Sequence, residues 1–252
     1  MSLLGIGVLL FALVLFGVPI AIALGMVSLV AMLSGPGGAG SLPNAALVMF
    51  NGATSFPLIA IPLFILAGAI MNASGISRRL IAFASAVVGF IRGGLSMVTI
   101  SASLFFAEIS GSAVADVAAL GSILIPAMRR KGYSKAFAAA VTSSSATLAV
   151  IIPPSIPMII YGVMSGSSIV ELFVAGIVPG VLGGLLMMAV AYYLARKHDF
   201  PREQEFRLQR VWETFLDAGW ALLLPVIILG GIFSGWVTAT EGAGLAVVAS
   251  VV

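Results

Sequence analysis

The sequence has no cysteine and one histidine, and no charged side chain occurs between Met1 and Ser77. Each shortage closes a class of chemistry. Without cysteine there are no disulfides and no thiolate metal sites. His198 lies in the polar run RKHDFPREQE, where a solvated loop residue is the expected reading rather than a catalytic or metal one. HExxH, GxSxG and P-loop spacings are missing too, so no catalytic constellation is visible and the chain is not expected to be an enzyme. Charged residues make up 8% of the chain and hydrophobic ones 61%, against roughly a quarter and a half in soluble domains. A soluble fold of this size has no core large enough to hide that much apolar surface. The composition is that of an all-α polytopic membrane protein.

A helix needs about 20 apolar residues to cross the hydrocarbon core. Residues 3–33 meet that length, with Gly17 and Pro19 as a kink site, and start without a basic n-region or cleavage site, as a retained span would. Residues 44–72 form a second crossing, interrupted by Pro57 and Pro62. The apolar stretch 80–91, flanked by Arg78, Arg79 and Arg92, is too short to span and suits an interfacial helix. Residues 93–128 form two apolar arms about a turn at Ser110-Gly111-Ser112. Residues 136–164 cross again, broken at IIPPSIP, and 169–195 return. A charged linker covers 196–213, and residues 214–252 begin a further apolar section. The chain stops inside the run GLAVVASVV, so Val252 reads as the end of a fragment.

The net charge of +3 does not point to nucleic acid, because the basic residues have another explanation. All twelve lie at 78–79, 92, 129–131, 135, 196–197, 202, 207 and 210. With the N-terminus inside, this layout of spans puts every one on the cytoplasmic side, as the positive-inside rule requires. Both a pair of full spans and a re-entrant hairpin at 93–128 satisfy it.

Two stretches hold polar groups where a membrane protein needs a reason for them. In FFAEISGSAVAD, Glu108 and Asp116 flank Ser110-Gly111-Ser112, with no other charge between Arg92 and Arg129. Mid-membrane charge is costly and usually faces a cavity or a partner. A hairpin tip there offers carbonyls and hydroxyls to a sodium ion and helix N-terminal N–H groups to a carboxylate. The plainer alternative is close packing of small residues. In TSSSATLAVIIPPSIP, Pro153, Pro154 and Pro157 remove three backbone donors just after Thr142, Ser143, Ser144, Ser145 and Thr147, with Ser155 inside the break. An unwound span exposes polar backbone for ions and substrate; the alternative is a kink with hydroxyls bonded back to i−4 carbonyls. A third stretch, VTATEGAG, is explained by Thr240 capping a helix with Glu241 in its first turn. Trp212, Trp220 and Trp236 read as interface markers.

Six stretches in one order, IPLFILAGAIMNASGISRRL, VGFIRGGLSMVTI, ISGSAVADVAALGSILIPAMRRKGY, IIPPSIPMIIYG, LFVAGIVPG and WVTATEGAG, run through nearly the whole chain. Through them the sequence resembles the large membrane subunit of TRAP transporters, the DctM-like permeases. That resemblance implies an elevator-type fold of inverted repeats, like the ion-transporter superfamily, with a re-entrant hairpin and a discontinuous helix in each repeat. Residues 1–195 would be the first repeat and 214–252 the truncated start of the second. It also implies a small DctQ-like membrane subunit, a periplasmic DctP-like binding protein, and uptake of organic acids across the bacterial inner membrane. The coupling ion would be sodium, with no other cofactor. The positions carried over as sodium and substrate contacts are Ser110, Gly111, Ser112, Asp116, Thr142, Ser144, Ser145, Pro153, Pro154 and Ser155. Glu108 departs from the pattern, standing where a small residue is expected. The competing readings are a self-sufficient sodium/dicarboxylate symporter and a non-transporting membrane scaffold subunit.

Overall fold

A computed structural model describes residues 2–203 and 205–251, without the side chains of Leu3, Ile109 and Ser110. The end at Val252 and the Ser110 side chain thus lie outside the described residues. All regular structure among them is helical. The chain divides into two compact units, Met1–Ser55 and Phe56–Val252.

In the first unit, the expected crossing at 3–33 is two helices, α1 (Leu3–Leu15) and α2 (Ile20–Leu33). Gly17, at φ +77°, ends α1 as the Val18 N–H turns back to the Leu13 carbonyl. Pro19 then precedes α2 with no N–H to continue the ladder. The helix α3 (Leu42–Ala53) follows a 3₁₀ turn. The second expected crossing, 44–72, is divided as well, at Thr54-Ser55 and not inside a helix at its prolines. Pro57 lies in a 3₁₀ turn and Pro62 in the first turn of α4 (Ala60–Ala73), where a missing donor costs no intrahelical bond.

The second unit continues with α5 (Ile76–Val88), α6 (Gly94–Ser110) and α7 (Ala113–Arg130). Gly75, at φ +81°, sets the start of α5 ahead of the expected residue 80, and Leu80 and Ala84 bury one face. Two packed helices, α6 and α7, make a helical hairpin whose turn is Gly111-Ser112. After it come α8 (Lys135–Ala146), the short α9 (Leu148–Ile151), an unwound stretch, and α10 (Ile156–Ser165). Residues 152–155 thus interrupt the helical run between α9 and α10. Next are α11 (Ile169–Lys197), α12 (Leu208–Asp217), α13 (Gly219–Phe233) and α14 (Ala239–Val251). The runs Phe56–Ala73, Lys135–Ser165 and Ile169–Lys197 are long and apolar enough to cross a membrane, and α12 with α13, bent by 61°, adds a fourth if taken as one span.

The linker expected at 196–213 is only partly a linker. Its last residues belong to α12, where Leu208, Trp212 and Leu216 recur every four residues and remain exposed. An amphipathic helix of this kind suits a membrane interface. It packs on α5 through Phe83 and Phe215 (centroids 5.8 Å apart) and the Arg79–Asp217 ion pair at 3.6 Å. Residues 198–203 form a strap. Its Pro201 carbonyl accepts from Gly93 N (3.2 Å), and the Glu203 N–H donates to the Gly89 carbonyl (3.0 Å). Phe200 stacks on Tyr133 at 4.3 Å, between the α7–α8 turn and the end of α11. Ion pairs Lys131–Glu203 (3.7 Å) and Arg92–Asp199 (3.3 Å) join the same region. Arg92 and Lys131, far apart in sequence, thus meet the same strap. Burial pushes the Tyr133 phenol up to about 12; the Leu95 backbone opposes the shift and the Glu203 carboxylate adds to it. The hydroxyl approaches Leu95 without reaching hydrogen-bond geometry.

The cap expected at Thr240 is instead made by Thr238. Glu241 Oε2 accepts from Thr238 N (2.7 Å) and Oγ1 (2.9 Å), while the Glu241 N–H donates to Thr238 Oγ1 (3.3 Å). This is a capping box, in which the acid must stand three residues after the cap, and Thr238 satisfies that spacing. Thr240 is buried beside Phe56, its hydroxyl 3.5 Å from that carbonyl.

Candidate functional site

The two polar stretches meet. Gly111, at the hairpin turn, has φ +56°, and its carbonyl accepts a hydrogen bond from Ile156 N at 3.2 Å. A Cβ on residue 111 would lie 2.6 Å from the Pro154 carbonyl oxygen. Only glycine fits there, both for its left-handed backbone and for that closeness.

Prolines create the other half. In a continuous helix, residues 153, 154 and 157 would donate to the carbonyls of 149, 150 and 153; as prolines they donate nothing. Ser155 repairs part of the loss. Its fully buried hydroxyl donates to the Val150 carbonyl at 2.7 Å, and its oxygen accepts from Met158 N at 3.4 Å as the cap of α10. On the hairpin side, Ser112 caps α7 by accepting from Ala115 N at 3.4 Å. Asp116, 1% exposed, occupies the first turn of α7, where the helix dipole favours negative charge.

Two helix C-termini (α6 and α9) and two N-termini (α7 and α10) therefore converge about one backbone contact. Carbonyl-rich ends suit a cation and N–H-rich ends suit an anion. The donor set of carbonyls, hydroxyls and one carboxylate is the oxygen set a hard cation such as sodium takes. No cluster of three or more His, Cys, Asp or Glu occurs among the described residues.

The upstream hydroxyls behave differently from one another. Thr142 Oγ1 donates to the Ala138 carbonyl at 2.9 Å, the local back-bonding that was the plainer expectation. Ser145 is buried, donates to the Thr142 carbonyl (3.2 Å) and accepts from Ser103 Oγ of α6 at 2.8 Å, tying hairpin arm to broken helix. Ser144 is exposed and borders an apolar groove with Leu186, Val190 and Leu194 of α11. Pro153 and Pro154 are buried in the break. Glu108 is half-buried on α6.

Sequence reasoning missed one serine, a glycine stripe and an Asn–Ser pair. Ser103 carries no motif of its own, although the run SMVTISAS held the signal of hydroxyls along a buried arm. Gly176, Gly180 and Gly184 of α11 form a stripe against the break and the hairpin: added Cβ atoms would lie 2.2 Å from the Ile151 carbonyl oxygen, 2.5 Å from Ile152 and 2.8 Å from Leu104. Their four-residue spacing was the available clue. Asn72 and Ser77, bonded to each other at 2.6 Å, line a cavity of about 420 Å³ that also borders Phe106, Ser112 and Asp116.

Comparison with known proteins follows the same lines. The family model described as "Tripartite ATP-independent periplasmic transporter, DctM component" matches residues 7–252. The isethionate TRAP transporter permease protein DctMQ of Oleidesulfovibrio alaskensis is 46% identical over 237 residues, covering 91% of this chain and 36% of that protein. The 2,3-diketo-L-gulonate TRAP transporter large permease protein YiaN of Escherichia coli is 47% identical, over 80% of this chain and 47% of its own. The C4-dicarboxylate TRAP transporter large permease protein DctM of Vibrio cholerae is 42% identical, over 96% and 53%. The chain spans about half the length, or less, of these curated relatives.

Proposed function

The chain belongs to the DctM component family of tripartite ATP-independent periplasmic transporters, an integral membrane family of transporter components and not of enzymes, and from that premise we propose that it forms part of the large permease subunit of a sodium-driven importer of organic acids. The observation that carries the reading is the Gly111–Ile156 contact, which joins hairpin tip and helix break where buried backbone leaves the regular helical ladder. In a membrane such irregular backbone is tolerated where it lines a cavity or lies within protein, and transporters bind ions and substrates at discontinuous helices of this kind.

The roles divide by chemistry. Carbonyls at the ends of α6 and α9, with the hydroxyls of Ser110, Ser112 and Ser155, supply oxygen to sodium. The first-turn N–H groups of α7, those of Ala113 and Val114, face the acid group of the substrate, whereas the N–H groups at the start of α10 are taken by the Gly111 carbonyl and by Ser155. Asp116 balances the charge of the ion, and Ser145 with Ser103 holds hairpin and broken helix in register. In this reading the hairpin is re-entrant, and hairpin and broken helix move together as an elevator. A small membrane subunit and a periplasmic binding protein complete the system, in the inner membrane, with the basic end cytoplasmic. Isethionate, 2,3-diketo-L-gulonate and C4-dicarboxylates, the compounds named for the relatives, are all organic anions, which supports that substrate class.

Uptake of labelled organic acids into proteoliposomes tests the proposal, with the membrane protein that carries this chain, its neighbouring subunit, and the binding protein present or omitted. Uptake that needs both an inward sodium gradient and the binding protein is the expected result. Uptake with sodium alone would replace it by a self-sufficient symporter, and none under any condition by a scaffold.

A further inference from the structure

Three arginines from three separate segments line one open basin of about 590 Å³ at the basic end of the second unit. Arg92 comes from the α5–α6 turn, Arg196 from the last turn of α11 and Arg202 from the strap, with Phe90, Ile91 and Tyr192 completing the wall. Close backbone packing brings them together. A Cβ on Gly93 would lie 2.5 Å from the Ala195 Cβ. The Pro201 carbonyl, next to Arg202, is bonded by Gly93 N at 3.2 Å, and Phe200 N reaches the Ala195 carbonyl at 3.0 Å. Arg196 lies 5.9 Å from the centroid of the Tyr192 ring, which orients its guanidinium. The acid recorded against these arginines among the described residues is Asp199, paired with Arg92 at 3.3 Å and 88% exposed at its side chain. So exposed a pair contributes little and exchanges readily.

We propose that this basin binds the phosphate of an anionic phospholipid from the leaflet on the basic side. Guanidinium groups pair phosphate oxygens in bidentate fashion, and basic pockets at the ends of membrane helices are suited to phospholipid headgroups. The basin sits where the long apolar helix α11 ends, with Tyr192 and Tyr193 exposed beside it. Tyrosine pairs of this kind mark headgroup depth. The positive-inside pattern explains why arginines lie on this face; it does not explain why three of them share one concave, aromatic-walled basin while Arg129 and Arg130 are exposed on α7 outside it. The inference rests on the membrane reading of the chain.

The test is native mass spectrometry of the membrane protein carrying this chain, released from nanodiscs of mixed phosphatidylglycerol and phosphatidylcholine. Wild type and the control Arg129→Gln/Arg130→Gln should retain phosphatidylglycerol preferentially. Arg92→Gln/Arg196→Gln/Arg202→Gln should retain it about tenfold less or worse, the scale of one lost charge-assisted bond. Arg202→Gln alone, at an exposed strap position, guards against misfolding of the triple variant and should lower retention about threefold. Equal retention by wild type and either variant overturns the proposal. Excess inorganic phosphate should leave the lipid bound; displacement would overturn the lipid source in favour of a soluble phosphate. Uptake is assayed separately on the same variants, so failure of this site and failure of the transport reading give different results.

Discussion

The carbonyl of Gly111 accepts a hydrogen bond from the Ile156 N–H at 3.2 Å, across a sequence separation that spans three helices. That one bond fastens the hairpin turn to the start of α10. The left-handed glycine leaves no room for a side chain between it and the Pro154 carbonyl.

Gly111→Ala should therefore be more damaging than its size suggests. The left-handed conformation alone costs an alanine about 1–2 kcal/mol, and the new methyl must push Pro154 away. Sodium-dependent uptake should fall about tenfold or more, while expression in the membrane is retained. Uptake near the wild-type rate would show that the contact is not part of the transport machinery.

Ser155→Ala removes both the bond to the Val150 carbonyl and the cap of α10. The expected loss of stability is about 1–3 kcal/mol, since a partly buried acceptor is left without its donor and α10 without its cap. A drop in the thermal midpoint in detergent together with weaker sodium dependence is the anticipated result. A fall in midpoint with unchanged sodium dependence would make Ser155 a purely structural cap.

Thr238→Ala makes a useful contrast, because its capping box is exposed and remote from the hairpin tip in the chain. About 0.5–2 kcal/mol of stability should be lost, with the sodium concentration for half-maximal uptake unchanged. A shift in that concentration would tie the start of α14 to the ion site.

Gly176→Ala should disturb the break from behind, because its Cβ would meet the Ile151 carbonyl oxygen at 2.2 Å. Crosslinking between cysteines placed at residues 103 and 145, whose hydroxyls lie 2.8 Å apart between hairpin arm and broken helix, reports the consequence, and its yield should fall relative to the same pair in the parent background. An unchanged yield would mean that α11 can move aside without moving the break.

Alkaline pH offers a test of the strap. The Tyr133 phenol is pushed up to about 12 by burial, above the ordinary tyrosine value of about 10. The unfolded chain therefore loses this proton first, and stability falls as pH rises from about 10 to 12. Tyr133→Phe should flatten part of that fall when unfolding midpoints are compared across the window. An identical slope in both proteins would show that Tyr133 is not the responsible group.

Local chemistry made some elements legible before any contact was known. The break at IIPPSIP follows from donors that proline lacks, whatever the surroundings, and the turn at Ser110-Gly111-Ser112 from residues that stop a helix. Thr142, Ser145 and Ser155 were named together, yet their hydroxyls found different partners, because which carbonyl each meets depends on neighbouring helices. Residues 208–213 were read with the linker: their charges masked a four-residue apolar repeat that only packing on α5 reveals. At Thr238 the error was one of spacing, since the carboxylate of Glu241 reaches back three residues and not one.

By itself, then, the sequence determined the apolar solvent and the places where helices must fail, because apolar length and missing proline donors act locally and additively. Tertiary structure alone decided that the two failures touch, that Gly176 and Gly180 press against the second of them while Gly184 meets Leu104 of the hairpin arm, and that Arg92, Arg196 and Arg202 share a basin. Those relations depend on which helix faces lie together, and helix-face pairing is set by close packing between segments far apart in the chain, which no short window of residues encodes.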